Sequence, residues 1–150
     1  MLLFLAPALA QGLDAAAVAA RSGDYVAAFE ILRPLAEQGD AEASFNLGVM
    51  YANGLGVTQN DTEAVHWYWL AATQGNSAAQ NNLGLMYFEG RGQLQDYVMA
   101  HMWFNIAGAN GLSNAISGRD AVELRAPPSQ IADAQARARV CLATDYQHCE

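Results

Sequence analysis

The sequence predicts an all-α protein of stacked helix pairs, and three observations carry that reading. Residues 40–75 and 76–111 align without a gap at a period of 36, with 13 identities. These are Ala43/Ala79, Asn46/Asn82, Leu47/Leu83, Gly48/Gly84, Met50/Met86, Tyr51/Tyr87, Gly54/Gly90, Gly56/Gly92, Gln59/Gln95, Ala64/Ala100, Trp67/Trp103, Ala71/Ala107 and Gly75/Gly111. A period in this range means supersecondary units laid side by side. Alanine occurs 30 times in 150 residues, and it is both the best helix former and a small packing residue. Finally, Asp or Asn and Gly recur at the same spacing, where helices would begin and end.

Each element can be justified in order. Residues 1–10 are apolar and uncharged and end in Ala8-Leu9-Ala10 before Gln11, so they are expected to be the tail of an export signal; the alternative is an apolar N-terminal helix. Residues 11–39 are expected to form an N-terminal capping hairpin, because Ala28, Ala36 and Gly39 lie 36 residues before Ala64, Ala72 and Gly75. In each full repeat, the first helix carries Ala43, Leu47, Met50 and Tyr51, or Ala79, Leu83, Met86 and Tyr87, at the spacing of one helical face. The second carries Ala64, Trp67, Tyr68, Ala71 and Ala72, or Ala100, Trp103, Phe104, Ala107 and Gly108. Trp67 and Trp103 are expected in the core.

Gly48 and Gly84 sit inside first helices, where glycine costs about 1 kcal/mol against alanine. Their recurrence predicts a neighbouring backbone too close for a Cβ. Asp24, Asp40, Asn60, Asn76 and Asp96 are expected N-caps, and Asn60 with Glu63 a capping box. Gly39, Gly75 and Gly111 are expected to end the second helices with positive φ. Gly54-Leu55-Gly56 and Gly90-Arg91-Gly92 follow helices rather than strands, so they read as turns and not as phosphate loops.

Residues 112–150 are expected to be a degenerate C-terminal capping hairpin and tail. The positions of Leu83, Gly84 and Tyr87 are taken here by Arg119, Asp120 and Glu123, and charge there stops the stack. Pro127-Pro128 breaks the chain before a last amphipathic helix over 129–143.

Composition removes several functions. Acidic residues number 15 and basic residues 7, for a formal charge of −8. An acidic chain does not grip nucleic acid through its phosphates. All the basic residues are arginine, so chemistry that needs a lysine amine is excluded. No stretch reaches the roughly 20 apolar residues of a membrane-spanning helix. There is no Gly-x-Ser-x-Gly or His-Glu-x-x-His motif. His66 and His101 are not repeat-equivalent and are expected on the surface, while Asp61, Glu63 and Glu89 are explained by capping and solubility. His148 beside Cys149 lacks zinc-type spacing. Neither catalytic residue, metal nor cofactor is expected. Cys141 and Cys149 would pair in an exported protein and remain thiols in a reducing cell.

Leu47-Gly48-x-x-Tyr51-x-x-Gly54-x-Gly56, with Gln59, Ala64, Trp67-Tyr68-x-x-Ala71-Ala72 and Gly75, resembles the Sel-1-like repeat, a relative of the tetratricopeptide repeat. The resemblance implies a right-handed α/α solenoid whose first helices line the concave side. It also implies a non-enzymatic adaptor for a protein or peptide, often in bacterial envelopes, here periplasmic or secreted. A disulfide-rich branch is associated with weak β-lactam binding or hydrolysis, but it carries a cysteine pair in every repeat and this chain has one pair in all. A weak cell-wall or β-lactam hydrolase is therefore one alternative. A self-assembling envelope protein, joined through acidic repeats and an arginine-bearing cap, is the other.

Partner contacts are expected from first-helix faces opposite the core stripe: Glu42, Phe45 and Val49, then Asn81, Leu85 and Phe88. Phe45 and Phe88 have packing between helices as an equal alternative. Trp69 lies about 200° around the helix from Trp67 and has Asn105 as its repeat counterpart. It is expected to be exposed and to anchor a partner.

Overall fold

The computed structural model describes residues 5–150, with side chains from residue 9 onward. Among them are eight helices and no strand: α1 (Leu5–Arg21), α2 (Tyr25–Glu37), α3 (Ala41–Asn53), α4 (Asp61–Ala72), α5 (Ser77–Glu89), α6 (Tyr97–Ala109), α7 (Ser113–Glu123) and α8 (Pro128–Ala143). From α1 to α7 each helix packs on the next, which gives a right-handed α/α solenoid. The expected export-signal tail at 1–10 lies partly outside the described residues; residues 5–10 are the first turns of α1.

The helix ends follow the side-chain chemistry. Asp40 accepts from the Ala43 amide at 2.7 Å and Asn76 from the Ala79 amide at 2.9 Å. Asp24, Asn60 and Asp96 cap the second helices in the same way. The capping box at Asn60 is only half made. The Asn60 N–H donates across the hairpin to the Tyr51 carbonyl at 3.0 Å, as Asp96 does to Tyr87, so no donor is left for Glu63. Gly39, Gly75 and Gly111 adopt φ of 95°, 89° and 92° after the second helices.

The glycine loops do the stacking. Gly56 and Gly92 have positive φ, and a Cβ on either would collide with the carbonyl of Tyr25 or Asp61 at the start of the preceding repeat's second helix. Arg91 reinforces that contact with two hydrogen bonds to the Asp61 carboxylate, at 2.8 and 3.1 Å. Gly48 and Gly84 differ from expectation in their neighbour. A Cβ on Gly48 would lie 2.5 Å from the Tyr68 ring, and one on Gly84 3.0 Å from the Phe104 ring. The flat aromatic side chain of the paired helix, rather than a backbone, demands the glycine.

Three apolar clusters run along the stack: one around Leu32, Leu47 and Met50, one around Tyr68, Leu83 and Trp103, and one around Phe104 and Val122. Trp103 is fully buried and Trp67 half-buried against the first cluster. The repeat pattern ends at α7. Ala115 and Val122 are buried, whereas Arg119, Asp120 and Glu123 form an ion cluster with Arg119–Asp120 at 2.8 Å and Arg119–Glu123 at 3.6 Å. One of these charges, Glu123, is turned toward α6, where it meets His101. α8 packs on α6, and Ala134, Ala138 and Cys141 join the Trp103 cluster.

The tail closes over this arrangement. Cys141 and Cys149 are at disulfide distance, with their Cα atoms 4.6 Å apart. Between them Tyr146 packs its ring against Gly75 and accepts from the Asn110 amide at 2.9 Å. The same amide donates to buried Gln80, which in turn donates to the Ala72 carbonyl.

Candidate functional site

A cleft of about 270 Å³ opens between the first helices α1 and α3, with α2 as its floor. One wall is Leu13, Ala16, Ala17 and Ala20 of α1. The other is Glu42, Asn46, Val49 and Met50 of α3, and Tyr25 and Leu32 are among the residues between them. The cleft has room because α1 offers Leu13 and Ala17 where a later first helix has Phe45 and Val49. Only residues 22–24 join α1 to α2, three against the seven of 54–60 between α3 and α4. That difference of four slides the register, so Leu13, Ala16 and Ala17 stand opposite Phe45, Gly48 and Val49. Alanine at the Val49 position leaves space.

The polar groups of the cleft are concentrated on α3. Glu42 is exposed and takes part in no ion pair among the described residues. Asn46 lies one turn further along. In the next repeat its counterpart Asn82 lies near the side chain of Tyr68, and burial pushes that phenol above its usual range. The position of Tyr68 is held by Leu32 one repeat earlier, and Asn46 lines the cleft with it. Apolar walls with one carboxylate and one amide suit a chain segment that carries an apolar and a basic group.

The structure divides the residues expected at a partner surface. Glu42 and Val49 line the cleft. Phe45 is half-buried, with its ring centroid 6.1 Å from that of Tyr68, and serves packing between the paired helices α3 and α4. Phe88 lies 5.8 Å from the Tyr97 ring and beneath the Arg125 guanidinium at 5.1 Å. Asn81 is half-buried beside Asn82, and Leu85 is 39% exposed on α5, outside the cleft. Trp69 is 41% exposed on α4, a second helix, and so belongs to another surface.

His101 corrects the expectation of a surface histidine. It is fully buried, with Nε2 2.9 Å from the Glu123 carboxylate and Nδ1 without a partner. Glu123 reaches it from α7. His66 on α4 is exposed, edge-on to Trp67. No group of three or more His, Cys, Asp or Glu among the described residues is placed to hold a metal.

The Sel1 repeat model matches residues 18–40, 41–76 and 77–112. The chain belongs to the Sel1 repeat family. A protective antigen of uropathogenic Escherichia coli with an SLR fold superposes with a TM-score of 0.85 at 29% identity, over 92% of this chain and 31% of that one. A Sel1 repeat protein from Oxalobacter formigenes gives a TM-score of 0.61 at 36% identity, over 63% of this chain and 39% of that one. The chain thus spans about a third of the length of these solved relatives. No curated protein matches it. Sel1 repeats commonly serve as protein-interaction modules and are typically non-catalytic scaffolds. No described helix is long and apolar enough to cross a membrane, and the cysteine pair is consistent with an oxidising compartment.

Proposed function

We propose that this Sel1 repeat chain is a non-enzymatic adaptor that holds a protein or peptide segment in the cleft between α1 and α3. The observation that carries the reading is an apolar cleft with a single unpaired carboxylate, Glu42, in a chain of net charge −8. The bound segment presents an apolar side chain toward Leu13, Ala17 and Val49 and a basic group toward Glu42. Binding is by shape and burial, and the repeats supply rigidity rather than chemistry. The working compartment is the periplasm or the exterior, which suits a pair that forms in oxidising surroundings.

Three of the four arginines of the C-terminal region are engaged within the chain and Arg139 alone is free among the described residues, which does not favour assembly by charge. Arg119 and Arg137 are paired within their own helices, and Arg125 lies on Phe88. A photo-crosslinking amino acid at Val49, compared with one at Glu37 on the exposed face of α2, tests the proposal in intact cells. A discrete adduct from Val49 that is absent from Glu37 is the expected result. Equal labelling from both positions would defeat it.

A further inference from the structure

Three second helices present the same register to solvent, and they differ in what they carry. On α2 the outer positions 30, 33 and 34 are Glu30, Arg33 and Pro34, all exposed. On α6 the equivalents are Met102, Asn105 and Ile106, and Met102 and Ile106 are fully buried. The cover is α8, whose small residues Ala134, Ala138 and Cys141 share a core cluster with Met102 and Ile106. On α4 the equivalents are His66, Trp69 and Leu70, with His66 and Trp69 exposed and Leu70 half-buried. The α4 face therefore resembles the covered face of α6 in its apolar content and the open face of α2 in its exposure. Trp69 packs into none of the three core clusters.

We infer that the outer face of α4 is a second docking surface, separate from the α1–α3 cleft, for an amphipathic helix of a partner protein. The occupant's chemistry is read from α8. It is a helix with alanine-sized residues at the spacing of 134, 138 and 141, lying on the second helix as α8 lies on α6. Small residues on the visiting helix leave room for the Trp69 ring, which is the anchor. The charged α2 face does not accept such a helix, because docking would strip water from Glu30 and Arg33. Helix-on-groove recognition of this kind depends on a few large apolar anchors.

The test uses the full chain and a synthetic peptide of residues 128–143 with Cys141→Ala. Ala132→Glu and Ala136→Lys on its solvent side are joined as a lactam, which holds the peptide helical. Titration is followed by tryptophan emission and by calorimetry. The expected result is saturable one-to-one binding with a blue shift. Trp69→Ala and His66→Glu should each weaken binding by at least about tenfold, and Arg33→Ala on α2 should leave it unchanged. Both weakening substitutions are at exposed positions, and a melting curve for each confirms that it folds. Absence of saturation, or binding indifferent to both substitutions, would overturn the inference, because the peptide would then be exchanging with α8 on α6. Self-association of the chain that is abolished by Trp69→Ala would also overturn it, by making the occupant a second copy.

Discussion

Gly92→Ala separates two causes of glycine selection when it is compared with Gly111→Ala. Both residues have positive φ, 72° and 92°. At Gly111 a Cβ would meet nothing within 4 Å. Only the left-handed conformation is penalised there, at about 1–2 kcal/mol. At Gly92 the Cβ would also run into the Asp61 carbonyl and the Thr62 amide nitrogen, which are backbone atoms that cannot rotate away. The loop must lift, and the Arg91–Asp61 pair and the hydrogen bond from Thr62 to the Gly92 carbonyl go with it. The pair is one-third exposed and adds less than about 1 kcal/mol, so Gly92→Ala should cost about 3–5 kcal/mol in all. Urea unfolding followed by circular dichroism reads both values. Equal losses at the two sites would refute the view that loop glycines stack the repeats by close backbone approach.

Other substitutions probe the remaining structure. Asp96→Ala removes two capping hydrogen bonds from α6 and should lower stability by about 1 kcal/mol in the same unfolding assay. Replacing both Cys141 and Cys149 by alanine opens a short loop and should cost about 2–3 kcal/mol, and a reducing agent should lower the melting temperature of the parent but not of the double variant. Burial raises the phenols of Tyr68 and Tyr87 above their usual value near 10. The unfolded chain therefore loses those protons first. The stability they hold is full below pH of about 10 and falls as pH rises through the raised folded values. A melting series from pH 8 to 11.5 should show this decline, and Tyr87→Phe should flatten it.

Much of the fold was legible because the repeat copies its own punctuation. Asp40, Asn76 and the glycines at 39, 75 and 111 mark helix ends through local chemistry that needs no tertiary knowledge. The recurring Gly48 and Gly84 announced a close approach, but the partner was a side chain on the paired helix, which a repeat alignment cannot identify. The α1 wall of the cleft was missed because three connecting residues replace seven and shift α1 out of the 36-residue register. A comparison allowing a four-residue gap would have placed Leu13 and Ala17 opposite Phe45 and Val49. The burial of His101 was not legible either. It comes with a contact from Glu123 of α7, 22 residues away, which the pattern of neither helix reveals.

The most direct measurement is the affinity of Glu42→Arg for the protein captured from Val49. Glu42 is exposed, so the reversal leaves the fold intact and, beyond the charge at the cleft, costs only the favourable acid in the first turn of α3, under about 1 kcal/mol. The expected result is binding at least about tenfold weaker, with a melting temperature lowered by no more than a few degrees. Undiminished binding by the Glu42→Arg chain would contradict recognition at the α1–α3 cleft.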